Sequence, residues 1–282
     1  MTNILNAIYN IVNQSIHTVA DIEGLSNNRA NSMGEALEKY IKNAFAETFD
    51  INDNEEVVDI YSEKFSWLGN KNNPPDFIIS GGDAVEVKKI ESSGTDLALN
   101  SSYPKSKLHS DSTLITAGCR NCEEWTEKDI IYAVGHTSNQ ILHSLWMVYG
   151  SIYAADKEIY EGLHTRLSQI IRNGENIEFS ETRELGRINR VDPLGITYLR
   201  MRGMWGIRNP KRVFSSYLPE GNKTFTFISV IPTDKYNSFT EESRNRIEKL
   251  QLDNFNIINR RVSDPNNPAN RIDVKIISFY ID

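Results

Sequence analysis

Cysteine is nearly absent, with two in 282 residues, Cys119 and Cys122. That excludes the disulfide framework of a small secreted protein. The pair stands in C-x-x-C spacing, but a structural zinc site takes four ligands. There is no second cysteine pair, and His109, His136 and His143 lack ligand spacing. No thioredoxin-like βαβ pattern surrounds the pair. Long apolar runs are missing as well, with nothing near the ~18 residues of a membrane span. The opening MTNILNAIYNIVNQ has neither a basic start nor a cleavage site, so it is not a secretory signal. These absences predict a cytoplasmic protein with no membrane partner. Repeats and low-complexity linkers are also lacking, and the chain reads as one domain, 1–282, able to bury a sizeable core. The five histidines suggest no nucleophile–base triad.

The formal charge is −7, which taken alone argues against a nucleic-acid partner. Its distribution argues the other way. From Arg183 to Arg212 eight basic residues meet two acids, Glu184 and Asp192, so this strip carries +6 and the remainder −13. From Glu47 to Glu63 there are seven acids and no base. A basic strip on an acidic body binds phosphate locally, although such runs are equally often plain solvated faces.

Apolar spacing predicts a first helix through Ile4, Leu5, Ile8, Ile11 and Val12, and a second from about Asn28 to Phe45. Val57 to Leu68 reads as extended or irregular. Asn72-Asn73-Pro74-Pro75 is a breaker, because each proline restricts its predecessor. Two short β-rich runs follow, Asp76–Ile79 and Ala84–Lys88, joined across Gly81-Gly82 as a hairpin. Further strands are predicted at Asp129–Val134, Leu145–Tyr149, Thr197–Met201, Phe225–Ile231 and Ile272–Ile281. Helices are predicted at Ala154–Ile171 and Phe239–Leu252, the latter capped by Thr240 with Glu241 and Glu242 in its first turn. The fold class is α/β, with a mixed central sheet flanked by helices.

The hairpin carries the chemistry. Alternate strand residues share a face, so Glu86 and Lys88 point together while Val85 and Val87 point to the core. A tight turn brings Asp76 close to Glu86. Two carboxylates suit a hard cation such as Mg²⁺, with the Val87 carbonyl as a further oxygen ligand. Such a cation acts as a Lewis acid on phosphate and lowers the pKa of a bound water. Lys88 orients that water or steadies developing charge. Glu-x-Lys alone is common on solvent-facing strands. Pro-Asp before an apolar run, then Gly-Gly, then Glu-Val-Lys is more specific.

Pro75-Asp76, nine residues, then Glu86-Val87-Lys88 resembles the PD-(D/E)xK nuclease signature. That resemblance implies a core of helix, four-stranded mixed sheet and helix, with Asp76, Glu86 and Lys88 catalytic. It also implies a third acid from the first core helix, for which Glu38 is the choice and Glu35 the second. A closer resemblance rests on five stretches: Ser26–Asn31, Asn72–Asp76, Asp83–Glu91, Leu99–Leu108 and Tyr198–Gly206. Together they are similar to the NgoPII-type restriction endonucleases. The resemblance implies a Mg²⁺-dependent type II enzyme that hydrolyses double-stranded DNA at a short palindrome, GGCC in the family's named member. Two strands need two active sites and a palindrome has two-fold symmetry, so a homodimer is expected. A cognate DNA methyltransferase is expected in the same system, without a stable complex.

The catalytic core is placed at roughly 28–150 and the recognition elements at roughly 183–212. Asn100, Ser101, Ser102, Lys105 and Lys107, just after the catalytic strand, suit phosphate contacts. Arg187 and Arg190 would add to them. Arg200 and Arg202 share a strand face and offer the fork that matches guanine. Each of these residues is otherwise an ordinary surface polar group. Two rivals stay open: a repair nuclease or junction resolvase with the same core, and a non-catalytic DNA-binding protein that keeps the fold.

Overall fold

The computed structural model describes residues 1–14, 29–70, 73–182 and 184–282. The expectations that fall on Ser26–Asn28, Asn72 and Arg183 lie outside the described residues. The chain opens with helix α1 (Ile4–Val12), capped by the Asn3 side chain, and α2 (Arg29–Ala46). Next comes α3 (Asn54–Lys64), where the sequence predicted extended or irregular chain. Asp53 accepts a hydrogen bond from the Glu55 amide, Glu55 and Glu56 sit in the first turn, and Val57 and Tyr61 are buried one turn apart. The acids from Asp53 onward are therefore a helix cap and a solvated face, and only the tail of the expected extended run, from Phe65, enters a strand.

Strands β1 (Phe65–Asn70), β2 (Asn73–Ile79), β3 (Ala84–Ile90), β4 (Leu97–Asn100) and β5 (Lys107–His109) follow, then the short α4 (Ala117–Arg120). The long hairpin β6 (Glu127–Ser138) and β7 (Ile141–Tyr149) leads to α5 (Lys157–Arg172). Beyond it lie β8 (Glu178–Ser180), β9 (Gly186–Asn189), β10 (Leu199–Met201), β11 (Trp205–Ile207) and α6 (Pro210–Val213). The chain closes with β12 (Phe225–Pro232), α7 (Thr233–Ser238), α8 (Glu241–Glu248), β13 (Phe255–Ser263) and β14 (Arg271–Ile281). The helix expected over 239–252 is thus α8 alone. Its Thr240 cap and acidic first turn are as expected, but Phe239 belongs to the break after α7.

Among the described residues the main sheet runs β1-β2-β3-β6-β7-β12-β14-β13, with β5 added beside β6. It is mixed: β3 pairs parallel with β6 and β12 parallel with β7, while the other neighbours are antiparallel. The α2 helix packs close on this sheet, since a Cβ at Gly135 would stand 2.7 Å from the Leu37 methyls. Phe45 of α2 meets Phe77 of β2 at 5.7 Å. One face of the sheet is therefore the helical core, and the other is where Glu86 and Tyr132 pair across β3 and β6. Strands β8, β9 and β10 form a separate sheet, and β4 with β11 a separate ribbon. No described helix is long and apolar enough to cross a membrane.

Candidate active site

The two central strands of the site part where the acids stand. The β2–β3 ladder has two pairs, Phe77 with Val85 and Ile78 with Ala84, and then stops. The prolines at 74 and 75 lack an N–H, so neither donates to a ladder. The next amide facing β2, that of Val87, donates to Asp76 Oδ2 at 2.6 Å. N–H and C=O of one strand residue leave on the same side, so the Val87 carbonyl also faces Asp76. The sequence placed Asp76 at the start of its strand. It lies instead inside a strand extending back to Asn73.

Glu86 and Lys88 share a face, as their spacing predicted, and Lys88 Nζ donates to Glu86 Oε1 at 2.5 Å. Glu86 is 9% exposed, and its second oxygen, Oε2, is buried without a hydrogen-bond partner. A buried, unpartnered carboxylate oxygen is costly and calls for an occupant. Burial, the nearby Glu86 and the more distant Glu38 push the Asp76 carboxyl up to about 7, against the lowering pull of Lys88 and the Val87 amide. Lys88 is held above its ordinary value: burial lowers it, and Glu86 and Asp76 more than reverse that.

These donors fit a hard divalent cation: Asp76, the free Glu86 oxygen and the Val87 carbonyl are all oxygen, with Glu86 buried and Asp76 half-buried. Glu38 stands near enough to act on Asp76, but its carboxylate takes Lys42 Nζ at 2.5 Å. Among the described residues no three His, Cys, Asp or Glu side chains form a metal-holding group. A cation here would meet two carboxylates and a carbonyl, and Glu38 engages Lys42 through Oε1 alone. Glu35 is also on α2 and has a partner of its own.

The turn of the hairpin is clamped from both sides. Asp83 is buried, accepts from Tyr149 Oη at 2.7 Å, and pairs with Lys235 at 2.5 Å. Lys235 also reaches Asp129 at 2.8 Å. Lys128 Nζ donates to the Gly82 carbonyl at 2.8 Å, and Glu123 takes the Gly81 amide at 2.9 Å. These residues position β2 and β3, and the sequence reading missed them. Their signal was the charge at Asp83, Lys128 and Asp129 beside strands whose side chains otherwise face a core.

The loop residues divide. Asn100 and Ser101 are exposed and Ser102 half-buried, with Asn100 left-handed at φ 52°. Lys107 is half-buried and pairs with Glu127 at 2.5 Å. Lys105 is placed otherwise than a surface loop would have it: 7% exposed, with burial pushing its pKa down to about 8 against the opposing pull of Glu86. The cause is a close approach of backbone to sheet. The Lys105 amide donates to Tyr132 Oη at 2.7 Å, and a Cβ at Gly150 would stand 2.4 Å from the Lys105 carbonyl.

The basic strip is far from these groups in character. Arg200 and Arg202 do project together, and both meet Glu184, at 3.0 and 2.5 Å. Arg190 lies 3.8 Å from Glu178, and the Arg187 guanidinium stacks 3.8 Å above the Tyr198 ring. A cleft of about 670 Å³ gathers Arg208, Arg212, Arg261 and Arg271 around one acid, Asp96. Arg261 and Arg271 come from the β13–β14 end, outside the strip that the sequence picked out.

The model of the NgoPII restriction endonuclease family matches residues 2–263. The type II restriction enzyme NgoPII of Neisseria gonorrhoeae is 45% identical over 282 residues, covering 99% of this chain and 100% of that protein. No solved structure matches.

Proposed function

The chain belongs to the NgoPII restriction endonuclease family, and from that premise we propose that it is a magnesium-dependent type II enzyme of the PD-(D/E)xK class. Family membership makes it a site-specific DNA endonuclease. The finer reading is hydrolysis of double-stranded DNA at a short palindrome, with GGCC as the target that the resemblance implies. The observation that carries it is the convergence of Asp76, Glu86 and Lys88 at the splayed end of a hairpin, with one Glu86 oxygen buried and unpartnered.

Asp76, Glu86 and the Val87 carbonyl would hold Mg²⁺. When bound, the ion supplies Lewis acidity at the scissile phosphate and acidifies water. Val87 fixes the Asp76 carboxylate through its amide, so that side chain meets the phosphate in one orientation. Lys88 grips Glu86 Oε1 from the same strand face and presents its remaining protons to an incoming water or to a non-bridging phosphate oxygen. The raised Asp76 carboxyl would give up its proton if a cation bound there.

The proposed unit is one restriction-endonuclease domain, with core 28–150 and recognition elements 183–212. Asn100, Ser101, Ser102 and Lys107 contact backbone near the cut, and Arg187 and Arg190 contact it further out. Arg200 and Arg202 read guanine by leaving Glu184. The protein acts as a cytoplasmic homodimer, without a stable methyltransferase complex. The α5 helix supports the dimer: none of its residues is buried, and Ile159, Leu163, Leu167 and Ile170 are exposed along one face. An apolar stripe of that kind marks an association surface, and a second copy gives the two-fold arrangement that a palindrome requires. Leu163→Glu with Leu167→Glu is expected to leave a monomer by sedimentation.

Digestion of one plasmid with Mg²⁺ tests the whole reading. Discrete bands that map to GGCC support it. Discrete bands at another sequence move the target alone, structure-dependent nicking indicates a repair nuclease or resolvase, and an uncut plasmid removes the enzyme assignment.

A further inference from the structure

Two buried lysines contrast sharply. Lys128 is 8% exposed and its ammonium pairs with Glu123. Lys105 is as deeply buried, yet among the described residues no carboxylate lies within ion-pair reach of it. Its Nζ donates to Ser102 Oγ and, at 3.5 Å, to the Tyr103 carbonyl. Neutral partners alone leave a buried ammonium costly. Lys105 lines a small cavity of about 20 Å³ together with Glu86, Ser102 and Tyr132. That volume suits one water, which needs polar partners on its walls. Two of its lining residues offer them: Lys105, which carries a buried ammonium, and Glu86, whose Oε2 is unpartnered.

We propose that Lys105 is a positioning residue for Glu86, its ammonium fixing the free Oε2 through one water lodged in the cavity between them. Glu86 is then gripped on both oxygens, directly by Lys88 and through water by Lys105. A carboxylate oxygen has two lone pairs, so Oε2 takes the water on one and keeps the other for the cation. This deepens the nuclease reading and rests on it. It also separates Lys105 from its neighbours in the 99–108 segment. A lysine only 7% exposed is out of reach of a phosphate, so Lys105 acts through Glu86.

The test uses Lys105→Met, which keeps length and removes charge, and Lys105→Gln, which keeps a donor for the water. Single-turnover cleavage is expected to fall about 10- to 100-fold in Lys105→Met, as for other groups that orient metal ligands, and less in Lys105→Gln. DNA affinity and its salt slope stay at the wild-type values. Calcium binding to the DNA-free protein, followed by calorimetry, is expected to weaken about tenfold. Added methylammonium is expected to restore cleavage in Lys105→Ala, which a merely structural lysine would not allow. A wild-type rate and wild-type calcium binding in Lys105→Met overturn the proposal. So does a loss of DNA affinity that matches the loss of rate, which makes Lys105 a phosphate contact. Should the variants not fold, a crystal structure of the wild type decides: a water bonded to both Lys105 Nζ and Glu86 Oε2 upholds the proposal, and a dry gap overturns it. A wild-type protein that leaves DNA uncut, while calcium binding still depends on Lys105, sinks the nuclease reading and not this one.

Discussion

The β2–β3 hairpin and the outlying strands β8–β10 treat charge in opposite ways. In the hairpin Asp76, Glu86 and Lys88 are drawn out of water. One carboxylate oxygen has no partner, and one carboxyl is pushed up to about 7. In the outlying strands Arg190, Arg200 and Arg202 stay exposed and Arg187 is half-buried, and they are answered by Glu184, Glu178 or the Tyr198 ring. A solvated ion pair contributes only about 0–1 kcal/mol, so it is exchanged for a base or a phosphate at little cost. Buried charges do not trade partners so freely. On the function proposed above, a cation would complete the first region and DNA would rearrange the second.

The largest expected effect breaks the first half of that contrast. Asp76→Ala or Glu86→Ala should lower cleavage at least about 10³-fold, because several kcal/mol of charge stabilisation go with the cation. Target binding in Ca²⁺ should persist, and near-normal cleavage by either variant would remove these acids from the mechanism. Lys88→Ala comes next, with a loss of about 10²- to 10⁴-fold in single-turnover rate and little change in affinity. A variant that bound DNA poorly but cut at the normal rate would make Lys88 a phosphate ligand.

The second half is sharpened by Arg200→Ala and Arg202→Ala. Each should cost about 1–3 kcal/mol on the cognate duplex and much less on a scrambled one at fixed salt. Equal losses on both would mean phosphate contact. A smaller effect is expected from Arg261→Ala and Arg271→Ala. Each should weaken binding alike on every sequence and reduce the salt slope by about 0.9 per phosphate lost. An unchanged slope would take DNA away from that cleft.

The smallest effect concerns stability. The Asp76 carboxyl is raised in the folded protein, so its neutral form is the one that folding favours. Its contribution is complete below the unfolded pKa and is lost as pH rises through about 7. Asp76→Asn should therefore raise the melting temperature of the metal-free protein at pH 8 and do little at pH 4. A gain of the same size at both pH values would show that desolvation of this charge is not its source.

What was legible in the sequence was local. Gly81-Gly82 between alternating runs specifies a hairpin, and alternation alone puts Glu86 and Lys88 together. Thr240 followed by Glu241 and Glu242 marks the start of α8 for a similar reason. What was missed depends on partners far along the chain. Strand β13 alternates weakly and is defined by nine pairs with β14. Lys105 reads as a loop lysine until Tyr132 and Gly150 close over it. The α3 helix failed for a different reason. Its acids were counted as charge, when Asp53, Glu55 and Glu56 were also a capping signal. The arginine cleft joins residues 208 and 212 to 261 and 271, a meeting that no linear charge count shows.

The parallel partnership of β3 with β6 has a consequence for how the enzyme is born. Residues 84–90 find their inner neighbour in residues 130–136, across a connection that also includes β4 and β5. Parallel pairs of this separation form late, after the entropy of a long loop has been overcome. A nascent chain emerging from the ribosome thus carries Asp76 and Glu86 well before the strand that holds them in line. The same order of synthesis delays β12, and with it the last parallel neighbour of the sheet. On the proposed function, the hairpin that would cut DNA thus waits for its inner neighbour until the far half of the chain has arrived.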